Sequence, residues 1–402
     1  MPEKTHSQTC CIAGAGPAGL MLGLLLSRAG IQTTVVEKHD DFLRDFRGDT
    51  IHPSTMEAMA ELGYLDEFLS LPHQKATKLY AAMDGEEVTI ADFSRLPTRC
   101  RYMAFMPQWD FLAFLSRKAK AQPSFRLLMG KEVTRLVGRQ GRVAGVEVRD
   151  RSGIQSTIPA DLVVGADGRN SVVRRLAGLE ILKLGAPTDV LWMQVSRRPE
   201  DIPQAMSHGG PRQSLVLIDR GAYWQCGYVI PKGTFDEVRG EGLVSLRKKL
   251  AAIAALPGDR FEELTSSDQI KLLRVDVDRL KQWWRPGVLC IGDAAHAMSP
   301  IGGVGVGLAI QDAIAASNIL SAPLLDGRMD TRHLKKVQRR RNFPTKATQT
   351  LQVMMRRRRR PPVEHGTARA PAFLRAMARW PLLPHLAGKL IGLGIRPEHV
   401  AR

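Results

Sequence analysis

The stretch Cys10–Glu37, CCIAGAGPAGLMLGLLLSRAGIQTTVVE, constrains this chain more than any other. Cys10 to Ala13 is a short apolar run that reads as a buried strand. It meets Gly14-Ala15-Gly16-Pro17-Ala18-Gly19, which fits G-x-G-x-x-G. An apolar helix follows to about Ala29, with Gly30 as its stop signal. A β-branched run, Thr33 to Val36, then ends at Glu37. Gly14 permits a tight turn out of the strand, Gly16 lets a pyrophosphate approach the backbone, and Gly19 lets helix and strand pack closely. The helix that starts at Pro17 offers free N–H groups, from Ala18 on, and a positive dipole end to a phosphate. Glu37, eighteen residues past Gly19, is placed to accept hydrogen bonds from a ribose. The unit implies dinucleotide binding; the bland alternative is a βαβ unit with a glycine turn.

Two more segments repeat the strand-and-glycine-turn pattern. ADLVVGADGRNSVVR, Ala160 to Arg174, is a buried strand, a turn at Asp167-Gly168, and a helix start. An acid there lies on the ligand side of a parallel sheet, although Asp167 can equally serve as a helix cap. Val288 to Ile291 is another buried strand. It runs into Gly292-Asp293-Ala294-Ala295-His296, a loop from Pro300 through Gly303 to Gly307, and a helix to Leu320. Asp293 can bond a ribityl or ribose hydroxyl, and the helix start near Gly305 presents free N–H groups. His296 reads as a structural hydrogen bonder. Arg47 lies just past the second strand, where a guanidinium neutralises phosphate, or is a solvated loop arginine. Gln108 opens a helix expected from Phe111 to Ala121. A helix from Ser54 to Leu62 carries a capping-box spacing, Ser54 with Glu57.

The rest reads as a second, sheet-rich unit contributed in pieces. Leu79 to Met83 and Glu87 to Ile90 flank Asp84-Gly85 as a hairpin, and four strands fall between Thr188 and Val275. Trp224 and Tyr228 share one face of a strand; they line a pocket or belong to ordinary core. The 402 residues suffice for two interleaved domains. Five cysteines, without metal-type spacing, fit core thiols of a reducing compartment, and no metal site is expected. The polar start and the lack of a long uninterrupted apolar run predict a cytoplasmic protein. The formal charge of +18 points to an anionic partner or a solvated basic tail. Arginines cluster at Arg339–Arg341 and Arg356–Arg360, followed by apolar helices Ala372 to Trp380 and Leu382 to Leu393. That pairing leaves open a peripheral contact with an anionic membrane. No nucleic-acid motif is visible.

Taken together, the three motifs resemble the single-component FAD-dependent aromatic hydroxylases, the group of p-hydroxybenzoate hydroxylase and the ubiquinone-pathway hydroxylases. The resemblance spans roughly Thr9 to Leu320. It implies an α/β fold: a Rossmann-like FAD-binding domain (residues 1–72, 101–180 and 276–330) interleaved with a mostly antiparallel β-sheet substrate domain (73–100 and 181–275). A basic helical C-terminal segment (331–402) follows. The implied FAD contacts are Gly14, Gly16, Pro17, Ala18, Gly19, Glu37, Lys38, Arg47, Gln108, Val133, Asp167, Gly168, Gly292, Asp293, Pro300, Gly303, Gly305, Val306 and Gly307. Pro300, Trp224 and Tyr228 are the candidate substrate-pocket residues, and His52 is the candidate catalytic residue.

The implied activity is hydroxylation of an aromatic or polycyclic small molecule with NAD(P)H and O2, through a flavin C4a-hydroperoxide. Non-covalently bound FAD and a monomer or dimer are expected. The alternatives are an FAD-dependent reductase or saturase of a lipophilic, prenyl-type substrate, and a non-catalytic membrane-associated flavoprotein. Two positions depart from the family's pattern: Val304 stands where Gln is common, and Gly307 where Asn is.

Overall fold

The computed structural model describes residues 8–43, 50–83, 86–201, 206–209, 214–254, 256, 258–357 and 372–401. The opening motif forms as read. Strand Cys10–Ala13, helix Pro17–Arg28 and strand Thr33–Val36 put four apolar or β-branched residues in each strand, between layers that bury them on both faces. Cys10–Ala13 is central in a six-stranded sheet. Its order is Trp284–Arg285, Val288–Cys290, Leu162–Gly165, Cys10–Ala13, Thr33–Val36, Phe125–Leu128. Every pairing is parallel except the antiparallel edge pair Trp284–Arg285 with Val288–Cys290. All three motif-bearing strands therefore end on one side, and their turns share it.

A second sheet has seven strands, in the order Lys271–Leu273, Thr188–Ser196, Tyr223–Pro231, Ser214–Asp219, Met206–Gly209, Lys78–Met83, Glu86–Asp92. It is antiparallel apart from Met206–Gly209 beside Lys78–Met83. One face packs on helix Leu243–Ile253 through Leu246 and Leu250, forming a core separate from the main one. Thr50–Ile51, Met103–Phe105 and Gln74–Ala76 make a small sheet between the two large ones. All five cysteines are free and buried. Burial pushes the Cys11 and Cys226 thiols up to about 12, so they stay protonated at neutral pH.

The structure refines three readings of the sequence. Helix Pro53–Glu61 starts one residue early, with His52 as its cap residue and no side-chain cap. Proline at the first helical position presets the backbone angle, and Glu57 instead accepts the Arg99 N–H. Ile301–Leu325 is long and apolar enough, by length and composition, to cross a membrane, although Gln311, Asp312 and Asn318 interrupt its apolar run. Two thirds of its most apolar window is buried inside the protein, where the helix packs on Pro17–Arg28 and on Thr331–Arg357, so it is a core helix. Thr331–Arg357 is a helix of 27 residues that joins the main fold. Within it the Arg339–Arg341 run divides: Arg339 is exposed, Arg340 pairs with Glu398, and Arg341 is fully buried. The side chains of Arg356–Arg360 lie outside the described residues.

Candidate active site

Three glycine turns converge at the C-terminal ends of the parallel strands. Gly14 has φ +102°, and a Cβ on it would sit 2.4 Å from the Ala166 carbonyl oxygen. A Cβ on Gly19 would sit 1.9 Å from the Gly14 carbonyl oxygen. Protein packing therefore dictates both glycines. Gly16 is different: its backbone is extended, and a Cβ there would meet no protein atom within 4 Å. Beside it are the unpaired N–H groups of a helix that begins at Pro17. A bare backbone with open space at a helix N-terminus fits a pyrophosphate. Glu37 is buried and braces this turn, accepting the Ala15 N–H at 2.9 Å and the His39 N–H at 3.0 Å. Lys38 beside it is exposed.

The Asp167-Gly168 turn is held by its own acid. The Asp167 carboxylate accepts the Val172 N–H at 2.7 Å, the Val173 N–H at 3.1 Å and the Ser171 hydroxyl. It satisfies the first two N–H groups of helix Val172–Leu176, whose N-cap is Ser171 rather than Asp167. In the third turn Gly292 has φ +58° and packs against Ala18, so this turn touches the first helix directly. Asp293 accepts Arg169 Nε at 3.1 Å, which ties the second turn to the third. Arg169 Nη1 is buried without a partner, a free donor between two turns where an anionic or carbonyl-bearing ligand fits.

Behind the third turn, helix Val304–Leu325 starts from Gly303 in the left-handed region, φ +64°. A Cβ there would collide with Thr50 Oγ1 at 2.3 Å, while the Thr50 hydroxyl donates to the Gly303 carbonyl at 3.2 Å. The N–H groups of Val304, Gly305 and Val306 precede the first intrahelical bond of this helix, which runs from the Gly307 N–H to the Gly303 carbonyl, and Gly305 has no side chain to cover them. Pro300 is half-buried and opens the short turn Ile301–Gly303. Gln108 is half-buried and begins helix Gln108–Lys120. Val133 is buried in the main core opposite Val148, which leaves only its backbone for a ligand. Arg47 lies outside the described residues.

Sequence reasoning missed the groups that hold this loop. The Asp312 carboxylate is fully buried. It accepts the Gly292 N–H at 3.0 Å, pairs with His296 Nε2 at 2.6 Å and binds Arg341 Nε at 2.9 Å. Burial pushes its pKa up; the His296 and Arg341 contacts outweigh burial and hold it below the usual carboxylate value. Arg341 also reaches Glu398 near the end of the chain. Gln349 donates to the Asp278 and Ala297 carbonyls, and Gln352 to those of Ser299 and Ile301. The long basic helix thus supplies the bonds that the loop 297–301 lacks on its own.

Two candidates take other roles. His52 is buried, with Nδ1 2.8 Å from the Ile391 carbonyl oxygen and Nε2 3.1 Å from that of Gly303. Both nitrogens face acceptors, so neither is left for a substrate proton. Burial lowers its pKa despite those two contacts. Trp224 and Tyr228 belong to the core against helix Leu243–Ile253, and the Trp224 indole N–H donates to Asp201 at 2.8 Å. Their shared face was read correctly, but it is the face that packs on a helix. Among the described residues no group of three His, Cys, Asp or Glu side chains is placed to hold a metal.

A parallel sheet with a bare-glycine phosphate turn, two further acid–glycine turns and a covering antiparallel sheet defines an FAD-dependent oxidoreductase. Residues 7–351 match the FAD binding domain family. The chain is 31% identical over 357 residues to 6-methylpretetramide 4-monooxygenase of Streptomyces rimosus, covering 88% of this chain and 85% of that one. It is 29% identical over 341 residues to an uncharacterized aromatic compound monooxygenase, YhjG, of Bacillus subtilis strain 168, covering 80% of this chain and 64% of the relative. PqsL of Pseudomonas aeruginosa, a probable FAD-dependent monooxygenase, superposes with TM-score 0.76 at 21% identity, over 92% of this chain and 99% of that one. The chain belongs to the single-component FAD-dependent aromatic hydroxylase family, and it is an FAD-dependent monooxygenase.

Proposed function

We propose that this enzyme hydroxylates a polycyclic phenol-type molecule, with NAD(P)H as reductant and O2 as oxygen source. The bare Gly16 position between two packing-dictated glycines is the observation that carries the FAD site. The residues fit the coenzyme as follows: the Gly14–Gly19 turn takes the pyrophosphate, Glu37 a ribose, and Asp293 with the Asp167-Gly168 turn the chain linking pyrophosphate to ring. Bound FAD supplies the redox and oxygen-transfer chemistry. The helix start at Gly305, Val306 and Gly307 would stabilise negative charge on the bound ring through its free N–H groups and positive dipole end. Arg169 holds Asp293 in place. The seven-stranded sheet excludes water from the reacting ring.

The substrate wall in this reading is the sheet face away from helix Leu243–Ile253. The alternation puts Trp192, Gln194 and Gly227 there. A Cβ on Gly227 would lie 2.8 Å from the Trp192 ring, and the Trp192 indole N–H is buried without a partner. The same face packs through Ile218 against Phe105 and Met103, next to the strand that carries Thr50. The division into an FAD domain (1–72, 101–180, 276–330) and a substrate domain (73–100, 181–275) belongs to this proposal.

So does a cytoplasmic location with peripheral membrane contact. Leu382, Leu386 and Lys389 share an exposed face of the C-terminal helix, next to exposed Trp380 and Arg379. Monolayer or vesicle co-sedimentation at low and high salt tests that contact.

The activity is tested with purified FAD-loaded enzyme on a panel of phenols and polycyclic aromatics. The expected result is substrate-stimulated NAD(P)H oxidation, matching O2 uptake, and a product heavier by one oxygen. Reduction of a prenyl-type substrate without O2 uptake would favour the saturase alternative instead.

A further inference from the structure

Beside the loop Ile301–Gly303 the protein forms a partly open cavity of about 90 Å³. Val304, Gly307 and Leu308 of the core helix form one wall, Leu351 of the basic helix a second, and Leu390 near the C-terminus a third. The lining is mostly apolar. Its volume is several times the ~10–15 Å³ that one water needs and below the ~150 Å³ that admits benzene in an engineered apolar cavity. Leu351 is 38% exposed and stands at the mouth.

One polar atom in this wall is unsatisfied. Gln311 is 4% exposed and lines the cavity. Its Oε1 accepts the Glu398 N–H, while its Nε2 is buried without a partner. The other large polar side chains of the lining are engaged: His52 with two carbonyls, Gln352 with the loop backbone, Arg341 with Asp312 and Glu398. An empty cavity leaves the amide donor unpaired and the apolar wall without dispersion contacts. An occupant with an apolar body and one acceptor corrects both. Val304 and Gly307, the two positions where the sequence departs from the larger amides common in the resembling family, both line this space. The room is therefore a feature of this chain.

We propose that the cavity is a binding site for a short aliphatic chain bearing a carbonyl, whose oxygen accepts from Gln311 Nε2. The ligand is a small ketone or ester, or the acyl tail of a longer molecule that leaves past Leu351. It touches the loop Ile301–Gly303 and is separate from the substrate wall on the seven-stranded sheet.

The test is ligand-observed saturation-transfer NMR on the FAD-loaded full chain, with 2-pentanone and pentane as probes. The expected result is saturable 2-pentanone binding about fivefold tighter than pentane, the worth of one net hydrogen bond. Gln311→Met, which keeps volume and removes the donor, is expected to erase the preference. Leu351→Trp, which fills the space, is expected to abolish binding of both. Leu390→Trp blocks the same space from the facing helix, so the test stands if one filling variant fails to fold. No binding to the wild type, binding that survives both fillers, or a ketone preference that survives Gln311→Met would overturn the proposal. Visible absorbance of each sample reads FAD content, so loss of the coenzyme is seen apart from loss of the ketone.

Discussion

Gly16→Ala and Gly19→Ala separate ligand-dictated from packing-dictated glycine. At Gly19 the new Cβ lies 1.9 Å from a main-chain carbonyl oxygen, where ordinary contact between non-bonded atoms is roughly 3.5–4.0 Å. A backbone atom in the tightest turn of the fold cannot retreat that far. The cost is at or above the upper end of overpacking, about 3 kcal/mol, or roughly 3–4 °C in Tm for a chain of 402 residues. At Gly16 the backbone is extended and the Cβ meets nothing. There a methyl restricts the unfolded chain and stabilises by about 0.4–1 kcal/mol, a rise of roughly 0.5–1 °C. The same methyl stands where the pyrophosphate must reach the N–H groups. Loss of one charge-assisted hydrogen bond, about 1.5–3 kcal/mol, weakens FAD binding roughly 10- to 150-fold. Thermal melts of the flavin-free proteins and fluorescence titration with FAD measure both quantities. The reasoning fails if Gly16→Ala binds FAD as tightly as the wild type, or if it melts below Gly19→Ala.

Three other predictions follow from buried groups. Asp312→Asn removes one charge from a buried network and is expected to cost about 3–5 kcal/mol. Because the folded carboxyl lies below its usual value, its contribution is present at neutral pH and disappears as pH falls through that value. Denaturant melts from pH 7 to pH 3 should show a shallower acid loss in the variant. His52 has a lowered folded pKa, so the native state resists taking its proton. Stability should fall as pH drops below about 6.5, by up to about 1.4 kcal/mol per pH unit, and His52→Gln should flatten that limb. Trp224→Phe loses its bond to Asp201 and is expected to destabilise by about 1–3 kcal/mol with KM unchanged, whereas Trp192→Phe is expected to change KM.

What was legible in the sequence shares one property: it was written in glycine placement or simple alternation. Strand Cys10–Ala13, strand Thr33–Val36 and the hairpin around residues 84–85 follow from such signals. Residues 331–402 were expected to be a basic helical segment, but the docking of helix Thr331–Arg357 on the main fold did not show, because its inward face is polar. Arg341, Thr345, Gln349 and Gln352 are all buried, at helical spacing. A hydrophobic count finds no stripe there, although Arg341 bonds Asp312, and Gln349 and Gln352 bond the loop carbonyls. The same blindness hid the support of the third turn. Asp312 sits in an apolar helix as a lone acid, and only the fold brings His296 and Arg341 to it. Trp224 and Tyr228 show the other limit. Alternation tells which residues share a face, and only the tertiary packing tells whether that face meets a helix or a cleft.

The central claim is that the three glycine turns form one FAD site. Its most direct measurement is a titration of the purified, refolded chain with FAD, followed by absorbance and by quenching of flavin fluorescence. The account predicts saturation at one FAD per chain and a fall in affinity for Gly16→Ala alongside an unchanged circular dichroism spectrum. A natively folded chain that takes up no FAD at micromolar concentration would contradict it.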